Sequence, residues 1–187
     1  MGMPQVPIKW TAELVRSLPD DGNRYELVDG ALLVTPAPSR RHQRALTALS
    51  DRLKPYLRQQ RIGELLFSPA DISLGEDEIL QPDLFVAPLP DGPEADRWED
   101  IHHLILTVEI LSPSTARYDR HNKRQRFQRA GVPEYWIVDL DNRRIERWRP
   151  GDLQAEILTE TLSWHPEGTS ERLVIDLPGL FAEVWGP

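Results

Sequence analysis

Residues 104 to 111, LILTVEIL, set a glutamate inside a run that a buried strand would otherwise fill with apolar side chains. Leu104, Ile105, Leu106, Val108, Ile110 and Leu111 demand burial, and Glu109 is carried in with them. An isolated carboxylate taken out of water costs more than a single ordinary interaction contributes, so Glu109 has to be paired, protonated or bound to a cation. Whatever this chain folds into must supply that partner.

The segments on either side limit what the partner can be. TAELVRSL, residues 11 to 18, predicts a short opening helix with Thr11 as its cap, and RYELV and ALLVT around Asp29-Gly30 predict a hairpin. From Ser39 to about Arg61, Leu46, Leu49, Leu53 and Leu57 fall at helical spacing, with Pro55 expected to kink or end the element. The exposed face of that helix is basic, with Arg40, Arg41 and Arg44. LLFSPADISL and ILQPDLFVA, joined by GEDE, read as two strands, and the Glu109 strand follows after the loop Pro88 to Asp96.

SPST then offers Ser112 or Ser114 as the cap of a helix running to about Ala130, stopped by Gly131 and Pro133. EYWIVDL and RRIERWR around Asp141-Asn142 predict a second hairpin, followed by strands near 156 to 162 and 172 to 176 and the amphipathic LPGLFAEVW. The expected fold is α+β: one domain over residues 1–187, strand-rich, with a mixed central β-sheet flanked by helices and additional β-hairpins.

Asp83 lies in a run that would neighbour the Glu109 strand, and two carboxylates on adjacent strands can share one cation. Magnesium takes oxygen ligands and keeps several waters, so one or two carboxylates and a substrate phosphate suffice. Asp71 and Glu26 are further candidates, each interrupting an apolar strand. On the following helix Ala116, Arg120, Lys123, Phe127 and Ala130 share a face, which brings Lys123 towards the acids. There it could neutralise them, or help deprotonate a water if desolvation lowers its pKa. The same helix carries Arg117, Arg120, Arg124, Arg126 and Arg129 against one acid, Asp119, an arrangement suited to a polyanionic substrate.

Composition excludes several alternatives. The chain has no cysteine, so disulfides, thiolate zinc sites and cysteine nucleophiles are out, and any metal must take oxygen or imidazole ligands. The five histidines are scattered without metal-ligand spacing. A net charge of −8 argues against coating nucleic acid through bulk electrostatics, though not against a local basic patch. No apolar run reaches membrane-span length and the N-terminus lacks a leader pattern, so a cytoplasmic protein without a membrane partner is expected.

The ordered set QPDLFVAP, VEILSPST and DRHNKRQRFQRAGVPEYWIVD resembles the PD-(D/E)XK nuclease superfamily, in particular its Uma-two group of restriction-endonuclease-like proteins. The resemblance runs from about Tyr25 to Trp185. It implies a restriction-endonuclease-like three-layer α/β core and Mg2+-dependent phosphodiester cleavage, with Mn2+ as a substitute. On this resemblance Asp83 and Glu109 are catalytic acids and metal ligands, with Asp71 a further metal candidate. Lys123 stands in for the motif lysine, whose usual place two residues after Glu109 holds Leu111. Glu26, Asp119 and His42 fall where the group tends to have polar residues, the first two as supporting residues. Nucleic acid, DNA above RNA, is the expected partner, met by Arg117, Arg120, Arg124, Arg40 and Arg41. Cutting both strands of a duplex would favour a homodimer.

Each reading has a plainer rival. Glu109 could be held by Arg120 in a structural ion pair, the arginine-rich helix could be a solvated face, and Trp136 and Trp148 could be core anchors. On the level of function, the rival to an endonuclease is a catalytically inactive nuclease-fold module for nucleic-acid or protein binding. A glycosidase using Asp83 and Glu109 as an acid and base pair would need the carboxylates about 5–9.5 Å apart, and the adjacent basic helix speaks against it.

Overall fold

The computed structural model describes residues 9–90, 92 and 97–186; the N-terminal stretch read for a leader and the loop at 88–96 lie partly outside them. Thr11 caps α1 (Ala12–Arg16) by accepting from the amide of Leu14. The first hairpin, β1 (Arg24–Val28) with β2 (Ala31–Thr35), turns through Asp29 and Gly30 at φ 50° and 77°, the positive values that a two-residue hairpin loop requires.

The long helix α2 (Arg40–Gln60) passes through Pro55 and is capped only at Arg61, so of the expected kink or stop the stop does not occur. A proline inside a helix loses a hydrogen bond and crowds the preceding turn, at about 3 kcal/mol. Here Leu49, Leu53, Tyr56 and Leu57, on both sides of it, are buried in one apolar cluster with the sheet, and that packing outweighs the loss.

The next strands are shorter than the sequence suggests. β3 (Glu64–Phe67) pairs with β4 (Leu84–Ala87), and between them the chain makes only isolated bridges, Ile72 with Leu80 and Leu27 with Ile79. Pro69 and Pro82 remove ladder donors there. β5 (Leu106–Ile110) carries Glu109. The helix expected after it is broken: α3 (Ala116–Tyr118) and α4 (Arg124–Arg129) flank a wide π turn over Asp119–Lys123, and the cap position is Thr115 rather than Ser112 or Ser114. β6 (Glu134–Asp139) and β7 (Arg144–Trp148) form the second hairpin. The strand expected at 156 to 162 is two, β8 (Glu156–Leu158) and β9 (Thr161–Trp164), the latter paired with β10 (Leu173–Asp176) before the closing α5 (Leu177–Trp185).

Six strands make one mixed sheet in the order β3-β4-β5-β6-β7-β8, antiparallel except for β5 beside β6, whose parallel pairing is bridged by the broken helix. Alternation divides its side chains between two cores. Leu84, Val86, Leu106, Val108, Ile110, Trp136 and Val138 pack with α2 and α5, whereas Phe85, Ala87, Tyr135 and Ile137 pack with Phe127 of α4 and Val28 of the first hairpin. The same alternation sends Glu109 and Asp83 to the second face, the one covered by the broken helix.

Gly63 enters β3 so close to β4 that a Cβ would meet the Ala87 carbonyl oxygen and the Val86 side chain. Gly63→Ala should therefore lower stability by about 1–3 kcal/mol in urea unfolding, as overpacking does at a backbone contact that cannot yield.

Candidate active site

The antiparallel register that pairs Leu84 with Val108 carries Asp83, one residue before β4, to a place across from Glu109. Its Oδ2 accepts the backbone amide of Ile110 at 2.8 Å and lies 2.9 Å from Nε2 of His42. Its Oδ1 accepts from Arg24 Nη1 at 2.7 Å. Burial alone would raise the Asp83 pKa, but His42, Arg24 and Lys123 together hold it well below the ordinary carboxylate range.

Glu109 is paired with Lys123, one of the partners considered from the sequence, and not with Arg120. Lys123 Nζ donates to its Oε1 at 2.7 Å, and the same ammonium lies 2.8 Å from Glu26 Oε1, with both side chains buried alongside it. Arg120 instead binds Glu146 and Asp139. The π turn explains how Lys123 arrives: the widened turn directs both Asp119 and Lys123 inward, above the buried Phe127.

This cluster is short of positive charge. Burial, with Asp83, Asp119 and Glu26 nearby, pushes Glu109 well above the usual carboxylate range in spite of Lys123. Asp119 is raised to about 6, chiefly by burial; its Oδ1 has no hydrogen-bond partner and lies 3.8 Å from Lys123 Nζ. Of the two roles the sequence left open for Lys123, neutralising the acids or acting as a base through a lowered pKa, its surroundings favour the first. Desolvation does act to lower its pKa, but Glu109, Glu26 and Asp119 outweigh that and hold it above the ordinary lysine range. That direction favours its ammonium form.

Asp83, Glu109, Asp119, Lys123, Arg24 and His42 border a cleft of about 750 Å3 at the carboxyl ends of the parallel pair β5 and β6, where open α/β sheets commonly bind ligands. Arg40, Arg41, Arg120 and Asp139 line it as well. Among the described residues no three carboxylate or imidazole groups form a ready cation cage. The donor set nevertheless suits a hard divalent ion: the oxygens of Asp83 and Glu109 suffice for magnesium, which keeps waters in its remaining positions. Asp83 would first have to share or exchange the donors that now hold it.

The comparisons can be set against this geometry. Residues 12–181 match the family model described as "Uma2: Putative restriction endonuclease". The chain belongs to that family. A solved structure described as "a putative nuclease belonging to DUF820 from Anabaena variabilis" superposes with a TM-score of 0.77 at 23% identity, over 95% of this chain and 99% of that one. At that identity the likeness speaks for the fold, a six-stranded mixed sheet with flanking helices and small hairpins. No curated protein matches.

For this Uma2 member the cleft brings together Asp83, Glu109, Lys123 and Asp119 from the residues singled out in the sequence, with Glu26 reaching Lys123 from β1. Asp71 does not border it; it accepts from Gln81 Nε2 at 2.7 Å and lines a neighbouring cavity. Of the arginines, Arg117, Arg40 and Arg41 are exposed, Arg41 lying 3.8 Å over the Trp185 ring. Arg124 stacks on Trp148 and binds Gln128, Arg126 binds Glu78, and Arg129 binds Asp29. Two residues at the centre were given no role in advance. Arg24 shares a face of β1 with Glu26, two positions on, and His42 is the polar member of the stripe Ala45, Leu49, Leu53; both periodicities were visible.

Two outcomes follow for stability. Lys123→Met leaves Glu26 and Glu109 buried without a counter-ion and should cost about 3–5 kcal/mol in urea unfolding. Asp119, raised when folded, contributes stability that is present below about pH 4 and is lost as pH climbs through about 6. In chelator, Asp119→Asn should remove that fall, making the variant more stable than the parent by roughly 1–3 kcal/mol at pH 7.5 and nearly equal to it at pH 4.

Proposed function

We propose that this protein is a divalent-metal-dependent endonuclease that hydrolyses phosphodiester bonds, DNA being the favoured substrate. The observation that carries the reading is the convergence of Asp83, Glu109 and Lys123 on the floor of one open cleft from two neighbouring strands and a π turn. Membership of a family described as restriction endonucleases supports the same reaction.

In this reading Asp83 and Glu109 hold the cation, Mg2+ or Mn2+. When bound, the ion supplies a polarised phosphoryl oxygen and an activated water. Lys123, kept charged by its three acids, stabilises negative charge beside the attacking oxygen without giving up a proton. Asp119, with its unpartnered oxygen and a pKa near neutrality, is placed to take a proton within the cleft. Arg40, Arg41 and Arg117 remain exposed to meet the backbone phosphates, whereas Arg120 and Arg124 reach them only by leaving protein partners. Cleavage of both strands of a duplex would engage two copies.

One observation favours a second reading, a non-catalytic nuclease-fold module. Both oxygens of Asp83 are already satisfied within the chain, and Glu109 is neutralised by Lys123. The two readings diverge on metal binding and cleavage. The nuclease reading expects plasmid nicking with Mg2+ or Mn2+ that falls at least 100-fold in both Asp83→Asn and Glu109→Gln while the thermal unfolding midpoint shows each variant folded. Nicking unchanged in the two variants, or absent in the parent at every divalent ion tried, ends it. Arg24→Gln should also strengthen Mn2+ binding in calorimetry, because it removes a cation that competes for Asp83 Oδ1.

A further inference from the structure

The wall at one side of the cleft, made by Arg24, His42 and Asp83, also borders a second cavity of about 600 Å3, within the size range of small-ligand sites. Hydrolysis as set out above gives that cavity no task. Charged residues, Arg16, Asp20 and Asp71 among them, line part of it, and the rest includes surface of two further kinds. Leu18, Leu46 and Ile79 provide apolar surface, and Gln81 brings an amide to the same wall.

The amide of Gln81 has a fixed orientation. Its Nε2 donates to Asp71 Oδ1 at 2.7 Å, and because a carboxylate only accepts, the group facing Asp71 has to be the NH2. That leaves Oε1 as an acceptor, buried and without a partner in a side chain 9% exposed. His42 Nδ1, on the same cavity, is likewise buried without a partner. A buried acceptor lacking a donor is unfavourable, and a ligand N–H removes the cost.

We infer that this cavity is a nucleotide subsite, taking one base of the substrate onto the wall of Leu18, Leu46 and Ile79 with its amino edge towards Gln81. The inference rests on the phosphodiester reading of the adjacent cleft. A base has apolar faces for the aliphatic wall and a hydrogen-bonding edge for the amide, the pairing by which glutamine side chains read bases. Continuity with the cleft through Arg24, His42 and Asp83 sets the base beside the phosphate at Asp83, with the sugar spanning the shared wall. An acceptor at Gln81 favours an amino group over a carbonyl.

The test is titration of 2′-deoxycytidine 5′-monophosphate and its analogue carrying hydrogen in place of the 4-amino group, which differ only in that amino group, into the full chain with Mg2+ present. Binding is followed by NMR shifts or calorimetry. The expected result is saturable binding with the cytidine nucleotide at least fivefold tighter. Gln81→Leu should abolish the difference, and Leu46→Trp, which fills the cavity, should weaken both at least tenfold. Equal affinities for the two nucleotides in the parent, no binding of either, or undiminished binding in Leu46→Trp would overturn the subsite. Cleavage of a mixed-sequence DNA with Mg2+ is measured in parallel. Cleavage without nucleotide discrimination removes the subsite and keeps the nuclease; discrimination without cleavage keeps a nucleotide site and removes the nuclease.

Discussion

The rest of the structure is arranged around one buried ammonium group. Lys123 Nζ lies 2.7 Å from Glu109 and 2.8 Å from Glu26, so a single cation ties the π turn to β5 of the central sheet and to β1 of the separate hairpin. None of these residues could be removed alone without stranding a charge in a low-dielectric interior. Well-packed apolar residues of similar volume would hold the three elements together as well or better, since desolvating ions commonly costs as much as their attraction returns. The retention of a lysine and a set of acids at the centre of a core is therefore poorly explained by stability.

The first hairpin has a particular place in this arrangement. It pairs with no strand of the six-stranded sheet, yet two of its charged residues reach the two key groups, Arg24 binding Asp83 and Glu26 binding Lys123. Its Val28 anchors it against the second face, and Leu27 packs in a separate small cluster with Val15 of α1 and Ile79. The hairpin is thus both part of the packing and part of the electrostatics of the cleft.

Much of this was legible in the sequence, and the reasons differ from element to element. Both hairpins announced themselves through Asp-Gly and Asp-Asn flanked by alternating residues, and Glu109 and Glu26 stood out because each interrupts apolar strand character. The failures come from long-range packing overriding local preference. Pro55 reads as a helix breaker, but the buried residues on either side of it carry the helix onward. A π turn leaves no mark in helical spacing, so the face containing Lys123 was inferred on a regular helix that does not exist. The arginine-rich helix looked like a free basic surface because the acids that bind it, Glu78, Asp139 and Glu146, come from distant segments. The direction of the Lys123 pKa stayed open in the sequence for a related reason. Burial was foreseeable, but the number of carboxylates converging on it depended on the hairpin docking.

That convergence has an electrostatic consequence. Four buried carboxylates, Glu26, Asp83, Glu109 and Asp119, face two permanent cations, Lys123 and the mostly buried Arg24. With all four ionised the cluster carries a surplus of two negative charges, before any contribution from His42. Burial is the first cause of the upward shifts of Glu109 and Asp119, and the neighbouring acids add to it. Proton uptake and binding of one divalent cation relieve the same imbalance. The surplus matches the charge of one such ion, and the unpartnered oxygen of Asp119 lies in the cleft such an ion would enter. The chain's own cations thus leave its acids incompletely neutralised, and that is the condition the proposed metal-assisted chemistry requires of this cleft.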